Sequence, residues 1–154
     1  MERIDLEREM MSGEKMVNTQ EYALAVEGNL VCNGTALAQA IKLDVPLSFW
    51  GGYDSESGTI IDASHPNRGQ SMAGKILVMQ RGRGSSSSSS VLAEAIRAGT
   101  GPVGIVLAEN DPIIVLGALV AGELYGIHCP IIVTPAEQFD RITDGDMLSI
   151  AGTQ

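Results

Sequence analysis

The 154-residue chain is long enough for one domain with a substantial core, and its 44% apolar content excludes a wholly disordered protein. Its formal net charge of −9 argues against nucleic-acid binding, which needs a basic surface to neutralise phosphate. Its two cysteines, Cys32 and Cys129, form no C-x-x-C pair, so no zinc or iron–sulfur site is encoded. Both read as buried thiols, with a disulfide as the alternative.

Residues 1–20 are charged and methionine-rich and read as a tail, leaving a single domain over 21–154. No apolar leader and no bilayer-length apolar run is visible, so a cytoplasmic chain with no membrane contact is expected. Glu21 to Val31 reads as a first strand. Asn33-Gly34 signals a turn, and Thr35 to Leu43 reads as a second strand, a short helix being the alternative. Pro46 to Asp54 holds the only Trp beside a Gly-Gly pair and reads as a packed loop. With the turn Ser55 to Gly58 and a short strand Thr59 to Asp62 it forms a hairpin. His65 follows in a loop; exposed loop histidine is one reading, ligand contact or proton carrier the other.

The organising stretch is Gly82-Arg83-Gly84 followed by six serines, Ser85 to Ser90. The apolar run Ile76 to Met79 leads into it, and a helical pattern from about Ser86 to Ala98 leads out, stopped by Gly99. Strand, glycine loop and helix start bring backbone close to a ligand and offer amides to an anion, so a small acidic substrate is expected. A flexible linker is the bland alternative. Beyond it lie a buried-type strand at Ile105 to Leu107 and a helix opened by Asp111-Pro112. That helix is apolar on most of its circumference and is expected to be deeply buried. A parallel-type strand at Pro130 to Val133 precedes a short helix through Ile142, with Thr134 as N-cap and Pro135 at the first helical position. A last strand runs from Met147 to Ile150. The order is β-rich first and βαβαβ second, an α/β domain.

Three pieces together resemble the small subunit of the aconitase X family: Pro46-Leu47-Ser48-Phe49-Trp50-Gly51-Gly52 with Asp54 and Gly58; Gly74-Lys75 leading to Gly82-Arg83-Gly84-Ser85-Ser86; and Gly117-Ala118 through Glu123-Leu124-Tyr125-Gly126. The resemblance implies a swivelling β/β/α domain equivalent to the mobile fourth domain of aconitase. It implies a large catalytic subunit as partner, a small carboxylic acid as substrate, and an iron or iron–sulfur centre on that partner, with no cofactor bound by this chain. The implied reaction is dehydration of a small hydroxy acid. Cis-3-hydroxy-L-proline is the first expectation and phosphomevalonate the alternative. The six-serine run and the Phe49-Trp50 pair look more like the hydroxyproline branch. By position, Ser85 would be the proton-abstracting base. Ser86, Gly84 and Arg83 would bind substrate, and Ser48 and His65 would be further site contacts. In aconitase proper an arginine follows the two serines; Ser87 stands there in this chain. Two rival readings are a phosphocarrier domain, for which His65 and His128 are the only histidines, and a non-catalytic interaction module.

Overall fold

The computed structural model describes residues 22–152. The charged tail expected over 1–20 lies outside the described residues. Among the described residues, nine strands and four helices run in the order β1 (Leu24–Ala25), β2 (Asn29–Cys32), β3 (Ala36–Lys42), α1 (Phe49–Gly52), β4 (Tyr53–Asp54), β5 (Thr59–Ile60), β6 (Ile76–Met79), α2 (Ser87–Ala98), β7 (Gly104–Leu107), α3 (Pro112–Tyr125), β8 (Ile131–Val133), α4 (Ala136–Arg141) and β9 (Met147–Ile150).

Seven of the strands form one sheet, ordered β1-β9-β3-β6-β7-β8-β2. β3, β6, β7 and β8 are parallel neighbours; β2 and β9 join antiparallel at the two sides. β1 lies parallel to β9 at one end of this order and β2 closes the other, yet only Val26, Glu27 and Gly28 separate them. A sheet whose first and last strands are joined by so short a link must curl on itself. The expected single strand from Glu21 to Val31 is therefore two strands broken at a joint. Gly28 sits there at φ +157, and a Cβ on it would run into the Val133 carbonyl oxygen. The joint is stapled to α4: Glu27 N donates to Gln138 Oε1 (2.8 Å) and Thr134 Oγ1 donates to the Glu27 carbonyl (2.6 Å). Thr134 is thus taken up by the joint and does not cap α4. Pro135 occupies the N-cap position instead.

The period of two along each strand divides the core in two. Ile76, Val78, Val106, Ile132, Leu148 and Ile150 fill the inside of the curl with Val26 and Ala40, and Ile142 after α4 packs with them. Leu77, Met79, Ile105, Leu107 and Ile131 face outward and meet α2, α3 and the α1 turn. These four- and three-residue strands lack polar faces because both their sides are covered. The hairpin expected from Pro46–Asp54, the turn Ser55–Gly58 and the strand Thr59–Asp62 forms with shorter strands, β4 and β5, and Gly99 ends α2 in the left-handed conformation. α3 departs from expectation. It buries Ile114, Gly117, Ala118 and Ala121 but exposes Leu116, Leu119, Leu124 and Tyr125. The small residues bring α3 close against α2: a Cβ on Gly117 would lie 2.9 Å from the Ser89 carbonyl oxygen. The large ones are left outside.

Cys32 and Cys129 are buried free thiols. Burial pushes both thiols up, Cys129 far more strongly and with Cys32 as a further cause. Cys129 also points at the Pro102 carbonyl (3.6 Å). Iodoacetamide at pH 8 is expected to leave both unmodified in the folded chain and to label both in denaturant, read by intact mass.

Candidate active site

β3, β6, β7 and β8 run the same way, so their C-terminal ends and the segments that follow them meet at one edge of the sheet, where ligands bind in open α/β sheets. The segments gathered there are 43–52, 80–86, 108–111 and 134–135. The glycine-serine loop is held from both sides. Arg83 N donates to the Leu47 carbonyl (3.2 Å) and Gly82 N to Asp111 Oδ2 (3.0 Å). Ahead of it, Gln80 Nε2 donates to Glu109 Oε2 (2.8 Å).

Gly84 has φ +107, and a Cβ there would collide with Ser48 Oγ, so the Pro46–Gly52 segment lies directly against the loop. Ser48 donates to the Trp50 carbonyl (2.9 Å), and Trp50 N donates to Ser88 Oγ (3.2 Å). α1 is a kinked turn, with non-helical Trp50 and Gly51 inside it. Phe49 is buried beneath it while the Trp50 side chain stays 62% exposed at the edge.

Ser85, Ser86 and Ser87 are exposed; Ser88 and Ser89 are buried. Ser86 makes no side-chain cap of α2. Ser85 Oγ accepts from Ser87 N at 3.3 Å, and Ser88 N and Ser89 N bond back to the carbonyls of Ser85 and Ser86. The backbone amides of Gly84, Ser85 and Ser86 take no partner among the described residues. Ser85 is therefore an exposed hydroxyl beside unpartnered amides at a helix start. The serine run is an ordered turn and first helical turn.

Arg83 lies 3.8 Å from Asp62 Oδ2, a long and exposed pairing that leaves its guanidinium free to exchange partners. Backbone and side-chain hydrogen bonds from Ser64 hold the Asp62 carboxyl below the usual range, with Arg83 and His65 adding to the effect. The pairing with Arg83 is present above that range and is lost as pH falls through the folded pKa. His65 is buried. Its Nδ1 accepts from Asn67 N (3.0 Å), so Nε2 carries the proton and donates to the Val45 carbonyl (2.9 Å). Both ring nitrogens are taken by backbone, and His65 stands behind Asp62. His128 is exposed and precedes β8, at the opposite end of the sheet from the serine loop. The structure thus brings together Ser48, Arg83, Gly84, Ser85 and Ser86, with His65 one step behind. Asp62, Ser88 and Asp111 were not named as site residues from the sequence, since their contacts here span 21, 38 and 29 residues.

Ser88→Ala removes the acceptor for Trp50 N and is expected to cost about 1 kcal/mol. It also loosens the turn, so the fluorescence anisotropy of Trp50, the chain's single tryptophan, should fall.

A family model described as the aconitase X swivel domain matches residues 25–154. The chain belongs to that family. Among its relatives, the cis-3-hydroxy-L-proline dehydratase of Pseudomonas aeruginosa is 43% identical over 109 residues, covering 71% of this chain and 19% of that protein. The phosphomevalonate dehydratase small subunit of Thermococcus gammatolerans is 40% identical over 99 residues, covering 64% and 76%. The chain spans about a fifth of the length of the cis-3-hydroxy-L-proline dehydratases from P. aeruginosa and Hypocrea jecorina. The crystal structure of Thermococcus kodakaraensis aconitase X in its holo-form superposes with a TM-score of 0.71 at 32% identity, over 80% of this chain and 88% of that one. The swivelling β/β/α class expected from the sequence is the fold observed.

Within this aconitase X swivel domain, the iron or iron–sulfur centre expected on a partner has no matching ligand set. No three His, Cys, Asp or Glu side chains converge among the described residues, and both thiols are buried.

Proposed function

We propose that this chain is the small subunit of an aconitase X-type hydro-lyase and supplies the base for dehydrating a small hydroxy acid, cis-3-hydroxy-L-proline first among candidates. The observation that carries the reading is the exposed Ser85 in a braced glycine-serine loop, in a chain whose relatives are named dehydratases. Serine is a weak base in water. An alkoxide at Ser85 becomes accessible only where amides and a helix start stabilise negative charge, and the Gly84–Ser86 amides and α2 offer both. Arg83 would leave Asp62 for the substrate carboxylate, with Ser86 as a second contact.

In the proposed step Ser85 Oγ takes the proton from C2. The C–H electron pair becomes the C2=C3 bond and hydroxide leaves C3. That hydroxide and the proton held by Ser85 together make one water, and the enamine acid tautomerises to a cyclic imine acid. A large subunit would complete the site, so this chain alone is expected to be inactive. The cytoplasm is its proposed location; no helix among the described residues is long and apolar enough to cross a membrane.

Phosphomevalonate is the second reading, favoured by relatives of similar length such as the T. gammatolerans subunit. Comparing kcat/KM of the co-expressed two-chain enzyme for the two substrates decides between them. Turnover of cis-3-hydroxy-L-proline alone supports the first reading, and turnover of phosphomevalonate alone replaces it with the second. Turnover of neither removes both.

A further inference from the structure

We infer that Asp111 is a positioning residue for the serine loop, acting on Ser85 through Gly82 while it caps α3; this rests on the reading of Ser85 as the base. One oxygen of the half-buried carboxylate caps α3, accepting from Ile113 N (3.0 Å) and Ile114 N (3.4 Å). The other accepts from Gly82 N (3.0 Å), three residues ahead of Ser85. The approach is close on all sides: a Cβ on Gly82 would lie 3.1 Å from Asp111 Oδ2 and 3.2 Å from the Ile114 side chain.

The far end of the loop is fastened to the same turn. Buried Ser89 donates to the Ile113 carbonyl at 2.7 Å. The segment from Gly82 to Ser89 is therefore tied at both ends to Asp111–Ile114, and α3 is packed along α2, which begins inside that segment. Of the two anchors on the loop's leading backbone, one is the Leu47 carbonyl, which no side-chain substitution removes. Asp111 is the one whose chemistry can be edited. The carboxylate suits both duties because it accepts on both oxygens. An amide has one acceptor and one donor, and a donor facing Gly82 N–H repels it.

The test uses Asp111→Asn in the co-expressed two-chain enzyme. Asparagine caps helices as well as aspartate, so α3 keeps its cap while the loop loses its anchor. A base displaced by about 1 Å can cost on the order of 100-fold, so kcat should fall by about that factor with KM changed less than about threefold. In the 15N-labelled chain the Gly82 amide should lose its protection from hydrogen exchange. Asp111→Ser, which also keeps a cap and lacks the second acceptor, should behave alike and serves if Asp111→Asn does not fold. Pro112→Ala keeps both Asp111 oxygens and the Ile113 carbonyl that accepts from Ser89, and should leave kcat unchanged. Wild-type kcat in Asp111→Asn, with Ser85→Ala inactive, overturns the inference and leaves the base in place. A loss of kcat with Gly82 still protected overturns it as well. An active Ser85→Ala variant removes the reading it stands on, and the inference with it.

Discussion

Ser85→Ala is expected to lower kcat of the assembled enzyme about 1,000-fold while the two chains still associate. The size follows from the proposed role. A base that takes the proton in the rate-determining step cannot be replaced by a neighbouring hydroxyl held at a different angle. Ser86 and Ser87, also exposed, stand at other positions of the turn. The fold should hardly notice. Ser85 is exposed, and its hydroxyl makes one weak contact, accepting from Ser87 N at 3.3 Å. Stability should stay within about 0.5 kcal/mol of the parent. Steady-state kinetics with a thermal melt checks both halves. A variant with parental turnover removes Ser85 from the mechanism, whatever its melting temperature.

Gly28→Ala is expected to be the most damaging single methyl added to the chain. Gly28 sits at φ +157, where a side chain is strained, and its Cβ would strike the Val133 carbonyl oxygen and crowd Thr134 Cα at 2.9 Å. These are backbone atoms of β8 and of the segment after it, so no side-chain rotation relieves the clash. The joint also lets β1 and β2 serve opposite sides of one curled sheet. Forcing it open unpairs Glu27 from Gln138 and Thr134 and loosens Val26 from the inner core. A loss of about 3 kcal/mol or more follows, and a fall in Tm of roughly 10 °C. Gly69→Ala is an apt comparison: φ is +92 there, but nothing lies within 4 Å of the added carbon. It should show the cost of backbone strain without the collision.

The region around Ser85 was legible because its signals are local. An apolar run, two glycines, serines and an amphipathic pattern stand next to one another, and β6, the loop and α2 form where they indicate. Asp111-Pro112 announced the start of α3 for the same reason. The second oxygen of Asp111 was not legible, because its partner is 29 residues away and only the parallel pairing of β6 and β7 brings them together. The sheet's closure was hidden too. β1 is two residues long, and its pairing with β9 joins opposite ends of the domain. α3 misled in a different way. It is apolar nearly all round, so periodicity could not say which side faces the core. The choice is made by Gly117, Ala118 and Ala121, which let α2 approach. His65 looked chemically available in the sequence. A loop histidine gives no hint that one nitrogen will find Val45 and the other Asn67.

The most direct test of the central claim is to titrate this chain into a fixed amount of the proposed large subunit and follow water loss from cis-3-hydroxy-L-proline. Negligible turnover by either chain alone is expected, with a rate that rises to saturation at one chain per large subunit. A large subunit that is fully active by itself, or a rate that stays flat as the chain is added, would contradict it.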